Sequence, residues 1–305
     1  MKRLSFAATL LCLTLLCPLP LFAASSKTPA AAPAAHTAPA PSAPAASAPV
    51  ASAQAAPAQR QQIQPEAAFA LVSAEAEKGN AQAMLTLGSF YEQGIGVARN
   101  YSKTLEWYEK AAKAGQPEGY YNMGVCYEIG MGAGSDMAKS VQSYQKAAEL
   151  GLPLAMYKLS AIYISGNGVA KDGAKGISWL EKAAAAGMPV AANDLGVIYL
   201  SGLLGQKKDE KKALVLFTRG ADLGNLEAVR NIAMMYKDGI GTAADPAKAY
   251  SWYLIARRGG YAGEDMVRML GLLEGSLSAS AAEQARKEAD AWIENYAKRQ
   301  EGGAQ

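Results

Sequence analysis

Histidine is almost missing from this chain of 305 residues: the single one, His36, stands in a stretch made of Ala, Pro, Ser and Thr. That excludes a Ser-His-acid or Cys-His catalytic set from the remainder, and most zinc geometries with it. Metal binding by carboxylates alone stays open, although no motif marks it. Cysteine is nearly as scarce, with three residues. Cys12 and Cys17 each follow a leucine, where a bacterial lipid-attachment signal carries glycine or alanine, so neither reads as a lipid anchor. Removal of the leader that holds them leaves Cys126 as the only thiol, and such a chain has no internal disulfide. Cys126 itself lies among apolar helix positions and reads as a small core residue. A surplus of one charge is lacking too: 30 Lys and Arg face 27 Asp and Glu, a formal charge of +3 that falls to +1 without Lys2 and Arg3. Such a balance gives no reason to expect nucleic-acid or anionic-membrane binding.

Lys2 and Arg3 precede an apolar run from Leu4 to Cys17, and Pro18 and Pro20 lead on to the small residues Ala23, Ala24 and Ser25. This is the layout of a secretory signal over 1–24, cleaved near Ala23 or Ala24. An uncleaved anchor is the alternative, because Leu4 to Ala24 is about long enough to span a bilayer. Over 25–60 only Lys27 and Arg60 carry fixed charges, and large apolar groups are too few to offset the entropy of ordering. That stretch is expected to be a disordered tether. The folded part is placed at 61–305, and the chain is read as a bacterial protein exported to the periplasm or secreted.

What the chain does contain is a repeat. Gly79, Gly115, Gly151 and Gly187 stand 36 residues apart, and Gly224 follows after one inserted residue. Position 12, counted from each glycine, is tyrosine: Tyr91, Tyr127, Tyr163, Tyr199 and Tyr236. Self-similarity at this period marks stacked supersecondary units that present an extended surface. Repeats are placed at 79–114, 115–150, 151–186, 187–223 and 224–259. Position 4 is small, position 8 large and position 11 apolar, and these steps with the tyrosine trace the core face of a first helix over positions 2 to 14. Paired glycines such as Gly94 and Gly96 end it. Asn100, Asp136, Asp172, Asp209 and Asp245 are suited to cap a second helix. Its bulky residues, among them Trp107, Tyr144, Trp179, Phe217 and Trp252, alternate with alanines.

The runs from Leu87 to Gly115 and from Leu159 to Gly187 resemble Sel-one-like repeats, relatives of the tetratricopeptide repeat, over about Pro65 to Gly260. The resemblance implies an all-α fold, a right-handed α-solenoid of about five helix-turn-helix repeats whose first helices line the concave side. It also implies a non-catalytic adaptor for protein or peptide partners. A cysteine-rich secreted branch, associated with cell-wall binding, carries a disulfide in each repeat; this chain lacks those cysteines. Pro65 to Lys78 resembles a lone second helix, and 260–300 an atypical cap with helices over Gly263 to Gly275 and Ser280 to Gln300.

Chemistry has few places left. Gly239-Ile240-Gly241-Thr242-Ala243-Ala244 fits a dinucleotide pattern but joins two helices instead of following a strand, so no cofactor is expected. Glu92 and Glu128 could imitate a glycosidase pair, but equivalent helices are roughly 10 Å apart. Asn100-Tyr101-Ser102 forms a sequon that the capping role already explains. If the first helices line the concavity, positions 6, 10 and 13 face a partner. That stripe runs Leu85, Ser89, Glu92; Tyr121, Val125, Glu128; Tyr157, Ala161, Ile164; Asn193, Val197, Leu200; Arg230, Met234, Lys237. It is expected to form a groove for an extended or helical segment, anchored by Tyr121 and Tyr157; the alternative is that these residues complete packing between repeats. The cluster Lys207 to Lys212 reads as a solvated loop and helix start. A cell-wall or exported glycan is the other possible ligand class.

Overall fold

The computed structural model describes residues 64–261 and 264–302; the leader and tether expected over 1–60 lie outside the described residues. Among the described residues there are thirteen helices and no strand. The first, α1 (Pro65–Glu77), is the lone second helix. Five hairpins follow: α2 (Ala81–Gln93) with α3 (Tyr101–Lys113), α4 (Pro117–Ile129) with α5 (Met137–Glu149), α6 (Pro153–Ser165) with α7 (Gly173–Ala185), α8 (Pro189–Ser201) with α9 (Glu210–Asp222), and α10 (Leu226–Asp238) with α11 (Pro246–Arg258). The end is α12 (Glu264–Ser276) and α13 (Ala279–Gly302).

Local chemistry sets the hairpin geometry. Pro117, Pro153 and Pro189 open three first helices, where a missing N–H costs nothing. Each first helix ends on a left-handed glycine; Gly166, with φ 80°, is one, a conformation that strains any other residue. The next helix opens on a cap whose side chain accepts from the backbone N–H three residues on, as Asp172 does from Lys175 at 2.9 Å. The cap's own N–H returns to the carbonyl of the recurrent tyrosine, Asp172 to Tyr163 at 2.8 Å. That tyrosine ring then lies under the lysine three residues after the cap: Lys103 on Tyr91, Lys139 on Tyr127, Lys175 on Tyr163, Lys212 on Tyr199 and Lys248 on Tyr236, at 3.7 to 5.6 Å. One tyrosine thus fastens both ends of every turn.

Within a hairpin a bulky side chain of the second helix enters the gap left by position 9 of the first. A Cβ on Gly88 would stand 2.6 Å from the Tyr108 ring, and Gly124 and Gly196 face Tyr144 and Phe217 as closely. Between hairpins, the second loop glycine of one repeat lies on the first turn of the preceding second helix: Gly132 meets the Tyr101 backbone and Gly241 the Glu210 backbone. The fourth repeat reverses this fit. Its inserted residue brings Leu204, a non-glycine at φ 55°, against Gly173, whose added Cβ would be 3.5 Å from Leu204 Cβ. There the bulk belongs to the loop and the glycine to the helix.

The terminal unit departs from the pattern, as expected. α13 packs on α11, setting Trp292 edge-on to Trp252 at 5.6 Å and Tyr296 flat on Trp292 at 5.4 Å. Tyr296 reaches the loop at Gly224, and Arg299 pairs with Asp222 at 3.2 Å.

Candidate functional site

The first helices are the elements that carry the expected partner stripe, and their rotation decides what it exposes. At position 6, Leu85, Tyr121, Tyr157 and Asn193 are buried, none more than 8% exposed; only Arg230 is open, near the Tyr261 ring. Tyr121 lies against Tyr144 at 5.3 Å, and burial, with the Glu128 charge second, pushes its hydroxyl up to about 12. Tyr157 donates to Asp194 across to the next repeat at 2.8 Å. Two exposed tyrosine anchors are therefore not what this geometry provides: both rings are walls between helices. The reason is angular, since one residue turns a helix by about 100°, and position 6 falls on the side that meets the neighbouring repeat.

Position 13 is half-buried throughout and mostly engaged. Glu92 accepts from the Tyr108 hydroxyl and Glu128 from that of Tyr144, each at 2.7 Å and inside its own repeat. They are hairpin struts rather than an acid pair. Glu128 also pairs with Lys158 of the next repeat at 3.1 Å, Ile164 presses on Gly176, Leu200 lies on the core and Lys237 pairs with Asp238. Position 10, with Val125 and Met234 among its residues, is half-open in all five repeats.

The open face runs along positions 3, 10 and 14, with position 7 beneath it at the seams, where Asp194 is buried. Position 14 is exposed in every repeat: Gln93, Ile129, Ser165, Ser201 and Asp238. Ile129 is 61% exposed, one of the largest apolar groups left to solvent. Position 7 holds Thr86, Asn122, Lys158, Asp194 and Asn231, polar in every repeat, and this regularity was the sequence signal for its place at the seam between first helices. Asn231 donates to Asn193 at 2.9 Å and Asp194 accepts from Tyr157. The face is thus small, amide-bearing and nearly neutral at its centre.

Other candidates resolve into structure. Cys126 is buried, which raises its thiol to about 12 and keeps it from being a nucleophile at neutral pH. The Gly241 amide, which a phosphate would need in the dinucleotide reading, donates to Glu210 at 3.0 Å. Glu210 also holds Lys208 at 2.8 Å, so the cluster from Lys207 to Lys212 is partly neutralised from within. It lines an open recess of about 670 Å³ together with Tyr199 and Gln206. Among the described residues no group of His, Cys, Asp and Glu is arranged to hold a metal.

Comparison with known proteins agrees with this geometry. The profile of the Sel1 repeat matches five consecutive segments, 81–116, 117–152, 153–188, 189–225 and 226–261. Each runs from the start of one first helix to the start of the next. A solved Sel1 repeat protein from Oxalobacter formigenes is 31% identical, covering 64% of this chain and 80% of its own, with a TM-score of 0.57. A protective antigen of uropathogenic Escherichia coli with the same kind of fold is 24% identical over 77% of this chain and 58% of its own, with a TM-score of 0.44. In sequence, 50 residues are 42% identical to an ERAD-associated E3 ubiquitin-protein ligase component, HRD3A, from Arabidopsis thaliana; the match spans 16% of this chain and only 7% of that relative's length.

Proposed function

Because the chain belongs to the Sel1 repeat family, whose members are non-catalytic scaffolds that mediate protein–protein interaction, we propose that it holds a protein partner in the bacterial envelope against the open face of its first helices. The observation that carries this reading is the continuity of that face. Positions 10 and 14 stay at least half-open across all five repeats, while the large aromatic and aliphatic groups are spent on packing. Short amide, hydroxyl and aliphatic side chains in a row suit the backbone and small side chains of an extended or helical segment. Ile129, exposed near the second loop, supplies the apolar anchor around which such contacts concentrate. A glycan surface is less well supported, because sugars stack on bare rings and each recurrent tyrosine already carries a lysine.

The test is capture from envelope extract by the full-length chain and by Ile129→Asp, with Ser165→Arg, at an exposed position 14, as a second variant. Both are expected to lose the bound protein at least about tenfold with an unchanged helical melting profile. Equal capture by wild type and variants refutes the face; retention by isolated wall material instead favours the glycan. Export is proposed from the leader sequence, and fractionation that leaves the tagged chain in the cytoplasm refutes it.

A further inference from the structure

Consecutive first helices are joined by a different polar pair at each of three seams. α4 and α6 share the ion pair Glu128–Lys158, and α8 and α10 an amide pair, Asn231 to Asn193. Between α6 and α8 the Tyr157 hydroxyl donates to the Asp194 carboxylate at 2.8 Å, and the Asn193 amide adds a longer bond at 3.4 Å. Asp194 is 3% exposed. The groups acting on it are Tyr157 from α6, Asn193 beside it and, from α10, the Glu227 carboxylate, which repels it; none is cationic.

Charged side chains on the elements around it are committed elsewhere. Lys158 on α6 pairs with Glu128. On α7, Lys175 and Lys182 cover Tyr163 and Trp179, and Glu181 accepts from Tyr199. On α9, Glu210 holds Lys208, Lys212 covers Tyr199, Arg219 donates to the Ala185 carbonyl and Asp222 pairs with Arg299; Lys211 is exposed. Arg230 on α10 is near Tyr261, and Lys237 pairs with Asp238.

A carboxylate taken out of water among neutral donors is costly while charged. Burial accordingly lifts Asp194 to about 6, against the relief given by its two hydrogen bonds. Once protonated, the carboxyl keeps the bridge, since a phenol accepts as readily as it donates.

We propose that the α6–α8 seam is a proton-operated joint in the solenoid: a proton on Asp194 lets repeats three and four close on each other, and its loss loosens them. The sign follows from linkage. The folded carboxyl keeps its proton to higher pH than an unfolded one, so the joint is tightest below about pH 4 and loosens through about pH 6. At neutral pH it is in its loose state. The joint is flanked by repeats on both sides, so acid fixes the spacing between the two halves of the open face.

Hydrogen exchange on the full-length protein tests this without any partner, so the outcome is separate from that of the scaffold role. After correction for intrinsic exchange, α6 and α8 amides are expected to lose about tenfold protection from pH 5 to pH 7.5, with α2 and α3 unchanged. Asp194→Asn is expected to remove the dependence. Glu227→Gln, at an exposed site that leaves folding intact, is expected to move the midpoint to lower pH by removing repulsion; Tyr157→Phe moves it higher by removing a donor to the charged form. Protection that ignores pH, a dependence that survives in Asp194→Asn, or a midpoint that Glu227→Gln does not move overturns the joint.

Discussion

Adding one methyl group to Gly124 would place its carbon 2.6 Å from the Tyr144 ring. Tyr144 is fully buried and its hydroxyl is held by Glu128, so the ring has no free direction in which to yield. Gly124→Ala is therefore expected to cost about 1–3 kcal/mol as overpacking, measured as a lowered denaturant midpoint with unchanged slope. Position 9 of the third repeat behaves in the opposite sense. Ser160 is fully buried and its hydroxyl has no hydrogen-bond partner. Ser160→Ala removes a desolvated polar atom without opening a cavity, and stability in the same titration is expected to hold or to rise by about 1 kcal/mol. The smallness of position 9 was legible in sequence. The burial of Tyr121 and Tyr157 was not, because the residues that cover them belong to other repeats, and no local pattern distinguishes a ring facing a neighbouring helix from one facing a partner.

Each hairpin turn is closed by one set of parts: a left-handed glycine, a cap, the lysine three residues on and the recurrent tyrosine beneath it. Asp172→Ala removes the acceptor for the Lys175 amide, a bond of 2.9 Å, and is expected to cost about 1 kcal/mol. Faster hydrogen exchange confined to the first turn of α7 is the measurement that checks it. Helix bounds were readable because glycine and proline punctuate each one, and all five hairpins fall where the period of 36 places them. The lysine was equally regular, at 103, 139, 175, 212 and 248, yet looks like ordinary surface charge until the tyrosine ring is known to lie below it. Its five contacts explain why a tyrosine, and not an aliphatic residue, recurs at position 12: a ring face attracts a cation by about 0.5–1 kcal/mol even at an exposed site.

A solenoid has two ends that must not present a bare core. At the first, α1 sets Phe69 edge-on to Tyr91 at 5.5 Å. At the last, α13 closes over α11 through Trp292 and Tyr296. Trp292→Ala is expected to lower stability by about 2 kcal/mol, less than for a fully buried tryptophan because Trp292 is only half-buried. Loss should begin locally, so exchange in α11 is expected to quicken before exchange in α6; uniform loss along the array would contradict a terminal cap. At this scale the architecture was legible from one sequence because each repeat states it again. The open face was legible only in part: position 10 is half-open in every repeat, whereas positions 6 and 13 serve the seams and hairpins.

The seams have a consequence for the length of the array. A chain built of units with one period and one set of joining positions can lose a unit and still bring matching positions together. Loss of repeat three would bring Asp194 opposite Tyr121, which holds the place of Tyr157 one unit earlier. Loss of repeat two would bring Lys158 opposite Glu92, the counterpart of Glu128. In either case the new neighbours offer the same phenol or carboxylate as the old, whereas loss of repeat four would set Asn231 opposite Tyr157 in place of Asn193, so the joints tolerate the removal of some units and not of others.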